Sequence, residues 1–230
     1  MDVKVKICGL TNPADVQAAI TAGADLLGFI FFPRSPRYVT PKRVRDILAT
    51  VDPARTDVST VGVFVDESPE SVAQVLDFCG LDLAQLHGEE PPIALGLGEN
   101  RSPLRGRAYK ALHPHTLEEA TELAYGYALP PYLRREGRLP ALLLDAYHPH
   151  LHGGTGNTGD WHLASSLASR YPLLLAGGLR PSNVAQALRI VQAWGVDAAS
   201  GIEQAPGQKD HAAMRAFVAA VRAIQGEKTR

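Results

Sequence analysis

Two side chains stand where a barrel-like protein would put its chemistry. Cys8 closes the run Val3-Lys4-Val5-Lys6-Ile7-Cys8, and Asp145 closes Ala141-Leu142-Leu143-Leu144-Asp145. Both runs have the composition of strands, so a thiol and a carboxyl are each presented at a strand end. Taken singly, a cysteine there is a small hydrophobe and an aspartate caps the next helix. Taken together across one cavity, they can serve as general base and general acid. Cys79, at a helix end before Gly80, lacks such a setting and is assigned to packing.

A second set of residues could hold an anionic ligand. The turns Ala176-Gly177-Gly178-Leu179 and Ser200-Gly201-Ile202-Glu203 follow the last two strands, and backbone amides freed by their glycines suit a phosphate group. Arg34 and Arg37 lie in a loop shaped by Pro33 and Pro36, and a guanidinium fork matches a planar carboxylate. Gln85 and His87 share one face by the period of two, so His87 is either a satisfied core histidine or a wall of the ligand pocket. His148, His150 and His152 alternate without Cys or carboxylate partners, and no metal is expected there.

The elements that must position these groups recur eight times. Strands are expected at 3–8, 25–30, 60–65, 83–86, 108–112, 141–145, 173–176 and 196–199, each followed by a helical segment and no leftover element. Asn12, Ser68 and Thr116 supply N-caps, Pro13, Pro41 and Pro69 open first turns, and Gly23 and Gly80 stop helices. A helix is expected from 181 to 193 and a last one from 210 to 224. In the first strand Lys4, Lys6 and Cys8 share the face turned into the barrel. Segments 96–107 and 126–138 are irregular and precede strands, on the side away from the chemistry. The pattern predicts an α/β protein with a single domain over 1–230, a closed (β/α)8 or TIM barrel. An open doubly wound sheet would show an early glycine-rich fingerprint, and the first turn here has only Gly9.

Bulk properties narrow the function. The 230 residues carry 23 basic and 24 acidic side chains, a net charge of −1 that offers no field for nucleic acid or an anionic membrane. Two cysteines do not make a disulfide framework, and a reducing compartment fits. With no membrane-length apolar run and no signal-peptide core, a cytoplasmic protein, monomer or homodimer, acting on a small molecule is expected.

These motifs, from Lys6-Ile7-Cys8-Gly9-Leu10-Thr11 through Ser35-Pro36-Arg37-Tyr38, Gln85-Leu86-His87-Gly88-Glu89, Leu144-Asp145, Gly153-Gly154-Thr155-Gly156 and Gly177-Gly178-Leu179 to Ser200-Gly201-Ile202-Glu203, occur in order along nearly the whole chain. The set resembles the phosphoribosylanthranilate isomerase family of tryptophan biosynthesis. The resemblance implies an Amadori rearrangement of N-(5-phosphoribosyl)anthranilate to 1-(2-carboxyphenylamino)-1-deoxyribulose 5-phosphate, the third step from chorismate to tryptophan. It implies that Cys8 is the base and Asp145 the acid, that Arg37 holds the anthranilate carboxylate, and that Gly177, Gly178, Ser200 and Gly201 bind the phosphate. Asp197 takes the place of an acidic residue near the substrate on the last strand. Proton transfer within one molecule needs neither cofactor nor metal. Asn157 stands where the family often has a basic residue. Lys6, on the face of Cys8, is a candidate for stabilising its thiolate unless an inward carboxylate neutralises it. A histidine-pathway isomerase of the same barrel would use two aspartates where this chain has Cys8, and a mere phosphoester-binding barrel would show no turnover.

Overall fold

The computed structural model describes residues 2–51, 57–97, 101–134, 137–145 and 161–228. Eight parallel strands close in sequence order into a barrel: β1 (Lys4–Ile7), β2 (Leu26–Ile30), β3 (Ser59–Phe64), β4 (Leu83–Leu86), β5 (Ala108–Leu112), β6 (Leu142–Asp145), β7 (Leu173–Ala176) and β8 (Gly195–Ala198). β1 pairs with both β2 and β8, which leaves no open edge. Helices α1 (Pro13–Ala22), α2 (Pro41–Val51), α3 (Pro69–Cys79), α4 (Leu117–Tyr127), α5 (Trp161–Ala168), α6 (Val184–Ile190) and α7 (His211–Lys228) surround it. A single 3-10 turn, Pro92–Leu95, stands where the fourth helix would be.

Local sequence explains the boundaries. Asn12 accepts a hydrogen bond from the Asp15 amide at the start of α1, and Gly23 ends it at φ 92°. Ser68 and Thr116 cap α3 and α4 in the same way. Such caps contribute about 1 kcal/mol each by satisfying an amide that the helix itself cannot. In β1, Val5 and Ile7 are wholly buried against the helices, each worth roughly 1.5–3 kcal/mol. Lys6 points the other way and is equally buried, inside the barrel.

Three elements depart from the sequence-based expectation. α6 is shorter than 181–193, because Asn183 spends its side chain on the preceding turn, accepting from the Arg180 amide and donating to the Gly178 carbonyl. α7 runs past 224 to Lys228. A hairpin, β9 (Glu203–Ala205) with β10 (Gln208–Lys209), follows β8 where no element was expected. The loop containing His148, His150, His152 and Asn157, with the glycine run 153–156, lies outside the described residues.

Candidate active site

A cavity of about 480 Å³ opens at the C-terminal end of the strands. Its walls include Cys8, Arg37, His87, Asp145 and Asp197, together with the turns at Gly177, Gly178, Ser200 and Gly201. All nine site residues expected from sequence therefore meet at one place, although they come from six strand ends. A larger cavity, about 680 Å³, lies at the opposite end. There the polar groups are tied to one another, Lys4 to Asp25 at 3.0 Å and Thr60 to Asp82 at 2.9 Å.

The floor of the mouth is a buried polar layer. Lys6 Nζ donates to Gln85 Oε1 at 2.7 Å and to Asp197 Oδ2 at 3.0 Å, and the Tyr109 hydroxyl donates to the same Gln85 oxygen at 3.1 Å. Strand register makes this possible, because Lys6 sits beside Asp197 across β1 and β8 and Gln85 beside Tyr109 across β4 and β5. Burial by itself would push the Lys6 ammonium down, but Asp197, with Cys8 and Tyr109, holds it above its ordinary value. Asp197 Oδ1 is buried without a hydrogen-bond partner among the described residues, so this wall of the cavity offers an acceptor.

Cys8 sits directly above this layer. Burial pushes its thiol up, Lys6 and Lys209 pull it down, and Asp197 opposes them, leaving it above the ordinary value. The inward carboxylate raised as an alternative at the sequence level is thus present: Asp197 pairs with Lys6 at 3.0 Å and offsets its field at the sulfur.

Arg37 is clamped before any ligand arrives. Its Nε and Nη2 donate to Glu203 at 2.9 and 2.7 Å, and Glu203 also accepts from the buried Lys209 at 2.7 Å. One negative charge between two positive ones leaves the cluster a net charge of +1, and of the three it is Arg37 that lines the cavity. Gly9 is required beneath this group, since a Cβ there would lie 2.5 Å from Arg37 Cδ and its φ is +74°. Arg34 is exposed. With its fork on Glu203, Arg37 has Nη1 and the remaining Nη2 hydrogen for a ligand.

The glycine turns touch. A Cβ on Gly201 would stand 2.0 Å from the Leu179 carbonyl oxygen, so only glycine lets the two turns close on one another. Gly177 and Gly178 take φ of 98° and 64°, a left-handed pair that brings successive amides into a concave surface.

His87 accepts a hydrogen bond at Nδ1 from the Gln85 amide, 2.8 Å away, and packs edge-on against His113. Burial, His113, Lys6 and Lys110 push its pKa down to about 3. His87, His113 and Asp145 bring one ligating atom each within 4.8 Å of one another, a spacing open to a metal if all three could lend a lone pair. Sequence reasoning missed His113, Tyr109 and Lys209. His113 follows β5 directly, as Cys8 follows β1, and that position was its signal; Lys209 had none, because its hairpin had no periodicity to reveal it.

The profile described as N-(5'phosphoribosyl)anthranilate (PRA) isomerase matches residues 5–220. The N-(5'-phosphoribosyl)anthranilate isomerase of Pelobacter propionicus is 41% identical over 228 residues, covering 99% of this chain and 100% of that protein. The crystal structure of phosphoribosyl anthranilate isomerase from Thermotoga maritima superposes with a TM-score of 0.79 at 35% identity, covering 96% of this chain and 99% of that one. A structure of such an isomerase in complex with reduced 1-(o-carboxyphenylamino)-1-deoxyribulose 5-phosphate superposes with a TM-score of 0.77 at 33% identity, with the same coverage. A closed eight-stranded barrel, a mouth built from these strand ends and identity along nearly its full length lead to one conclusion: the chain belongs to the N-(5'-phosphoribosyl)anthranilate isomerase family and is an enzyme of that activity.

Proposed function

We propose that this barrel mouth isomerises N-(5'-phosphoribosyl)anthranilate with Asp145 as the general acid and Cys8 as the general base. Asp145 gives its proton to the ribose ring oxygen, the C1–O bond breaks, and the anilino nitrogen supplies the electron pair for a C1=N iminium. Cys8, having released its thiol proton to solvent, then takes the proton from C2 as the thiolate, and the C2–H electrons move into a C1=C2 bond. The resulting enolamine becomes the ketone by losing its O–H proton and gaining one at C1. Both steps are proton transfers, so a positioned acid and base supply the catalysis.

The observation that carries this reading is the meeting of one thiol and one carboxyl in a single cavity whose remaining walls are anion holders. Arg37, net positive with its Glu203 and Lys209 partners, takes the anthranilate carboxylate. The turns at Gly177, Gly178, Ser200 and Gly201 take the phosphate through backbone amides. The reduced product bound by the relative carries those same two anionic ends. Asp197 Oδ1 accepts a hydrogen bond from a sugar hydroxyl, which supplies its missing partner. Burial pushes the His87 pKa down to about 3, which makes it a poor source of a full proton near pH 7 and supports Asp145 in that part. We place the enzyme in the cytoplasm; no helix among the described residues is long and apolar enough to cross a membrane.

Following the loss of the anthranilate adduct by fluorescence tests these roles. Asp145→Asn and Cys8→Ser should each keep substrate binding and lose turnover by at least about 100-fold. Robust turnover by Cys8→Ser would remove the thiol from the mechanism.

A further inference from the structure

Gln85 lines the cavity but holds no charge and no labile proton, so the reaction gives it no evident task. Its hydrogen bonds give it one. Lys6 Nζ, 2.7 Å away, can only donate, so the Gln85 atom facing it must be the oxygen. The Tyr109 hydroxyl then donates to that oxygen too. The atom facing His87 Nδ1 at 2.8 Å is therefore the amide nitrogen, which can only donate. Nδ1 must accept, and the proton of the neutral ring must sit on Nε2.

We propose that Gln85, locked by Lys6, is a positioning residue that fixes His87 as a neutral Nε2–H donor beside Asp145, aimed at the ribose oxygen the acid protonates. The inference rests on the isomerase mechanism above. As that oxygen gains electron density during ring opening, a fixed N–H is worth more to the transition state than to the bound substrate. The ring cannot drift to the other tautomer, because Nδ1–H would face the amide N–H of Gln85. For the same reason it cannot bind a proton at Nδ1 without breaking the contact, in keeping with its depressed pKa. Lys110 and His113 face the same ring and add their own opposition to a positive charge. The tautomer also bears on the cluster with His113 and Asp145. A metal at Nε2 would have to displace the proton that Gln85 keeps there, so the cluster serves hydrogen bonding rather than ligation.

The test is nitrogen-15 NMR of the histidine rings in the full chain without substrate, with the His87 signals identified by their loss in His87→Gln. Protonated Nε2 and bare Nδ1 from about pH 5 to 9 are expected. Gln85→Glu offers Nδ1 an acceptor in place of a donor, and should move the proton to Nδ1 or charge the ring. Its kcat should fall at least about tenfold with KM within about threefold, and its pH profile should gain a new titration between about pH 5 and 8. His87→Gln, which keeps an N–H at its tip, should retain more activity than His87→Leu. A protonated Nδ1 in the parent protein overturns the proposal, as does a Gln85→Glu variant with unchanged tautomer and pH profile. Because the ring spectrum is read without turnover, a failure of the tautomer is distinct from a failure of the mechanism.

Discussion

Replacing His87 by Gln and measuring both proteins' stabilities at pH 7 and pH 5 isolates a single proton. The His87 ring titrates at 6.5 when free and near 3 in the folded chain, with burial the largest cause, then His113, Lys6 and Lys110. Between those values the unfolded chain binds the proton and the folded chain refuses it. Stability must then fall as the pH drops: the contribution is complete above about 6.5 and is lost progressively toward 3. At pH 5, about 1.5 units below the free value, the loss from this one ring is about 2 kcal/mol, at 1.36 kcal/mol per unit. That is a sizeable share of the ~5–15 kcal/mol that separates folded from unfolded domains. Urea unfolding followed by the fluorescence of Trp161 and Trp194 reads it. Other groups titrate in both proteins, so the parent should lose about 2 kcal/mol more than His87→Gln between the two pH values. Equal losses would mean that the folded ring takes up its proton normally, and the chain of hydrogen bonds from Lys6 through Gln85 would not constrain it.

Lys6→Met should destabilise the fold by about 3–5 kcal/mol, because Asp197 is left buried beside Lys6's empty place. Pairing it with Asp197→Leu should recover most of that loss in urea unfolding. The same Lys6→Met protein should also react more slowly with a thiol-alkylating reagent, since Lys6 lowers the Cys8 pKa; an unchanged rate would deny Lys6 any hold on the thiol. Gly201→Ala drives a Cβ into the Leu179 carbonyl and should spread the two turns. Inhibition by inorganic phosphate should weaken at least about tenfold, with about 1–3 kcal/mol lost in stability. Glu203→Gln removes the countercharge between Arg37 and Lys209, and KM should rise at least about tenfold.

The barrel was legible because its first repeats announce themselves twice, through an apolar run and through the cap or proline that follows, as at Asn12, Pro41, Ser68 and Thr116. Cys8, Asp145 and the glycine turns were legible for a related reason: in this architecture the residues just past each strand share one rim. Partnership was harder to read. Nothing in the spacing says that Glu203 claims the fork of Arg37, because the two are 166 positions apart and meet only through a hairpin too short to show periodicity. Lys6 could be placed inside the barrel by alternation, yet its choice of Asp197 and Gln85 depended on strand register, which closes only in three dimensions. The shortened α6 follows from Asn183, whose side chain competes for the preceding turn in a manner composition alone does not reveal.

The Lys6–Asp197 pair joins groups 191 positions apart, the first strand to the last. No partial barrel can contain it. A chain emerging in order would hold an unmatched ammonium in its first strand until the eighth arrives, so collapse onto the strands already made is penalised at that point and ring closure is what relieves it. Catalytic competence thus becomes a late marker of folding: during refolding, helical signal should return before turnover does. The charge that sets the floor of the mouth also acts as a latch that tells a finished barrel from an almost finished one.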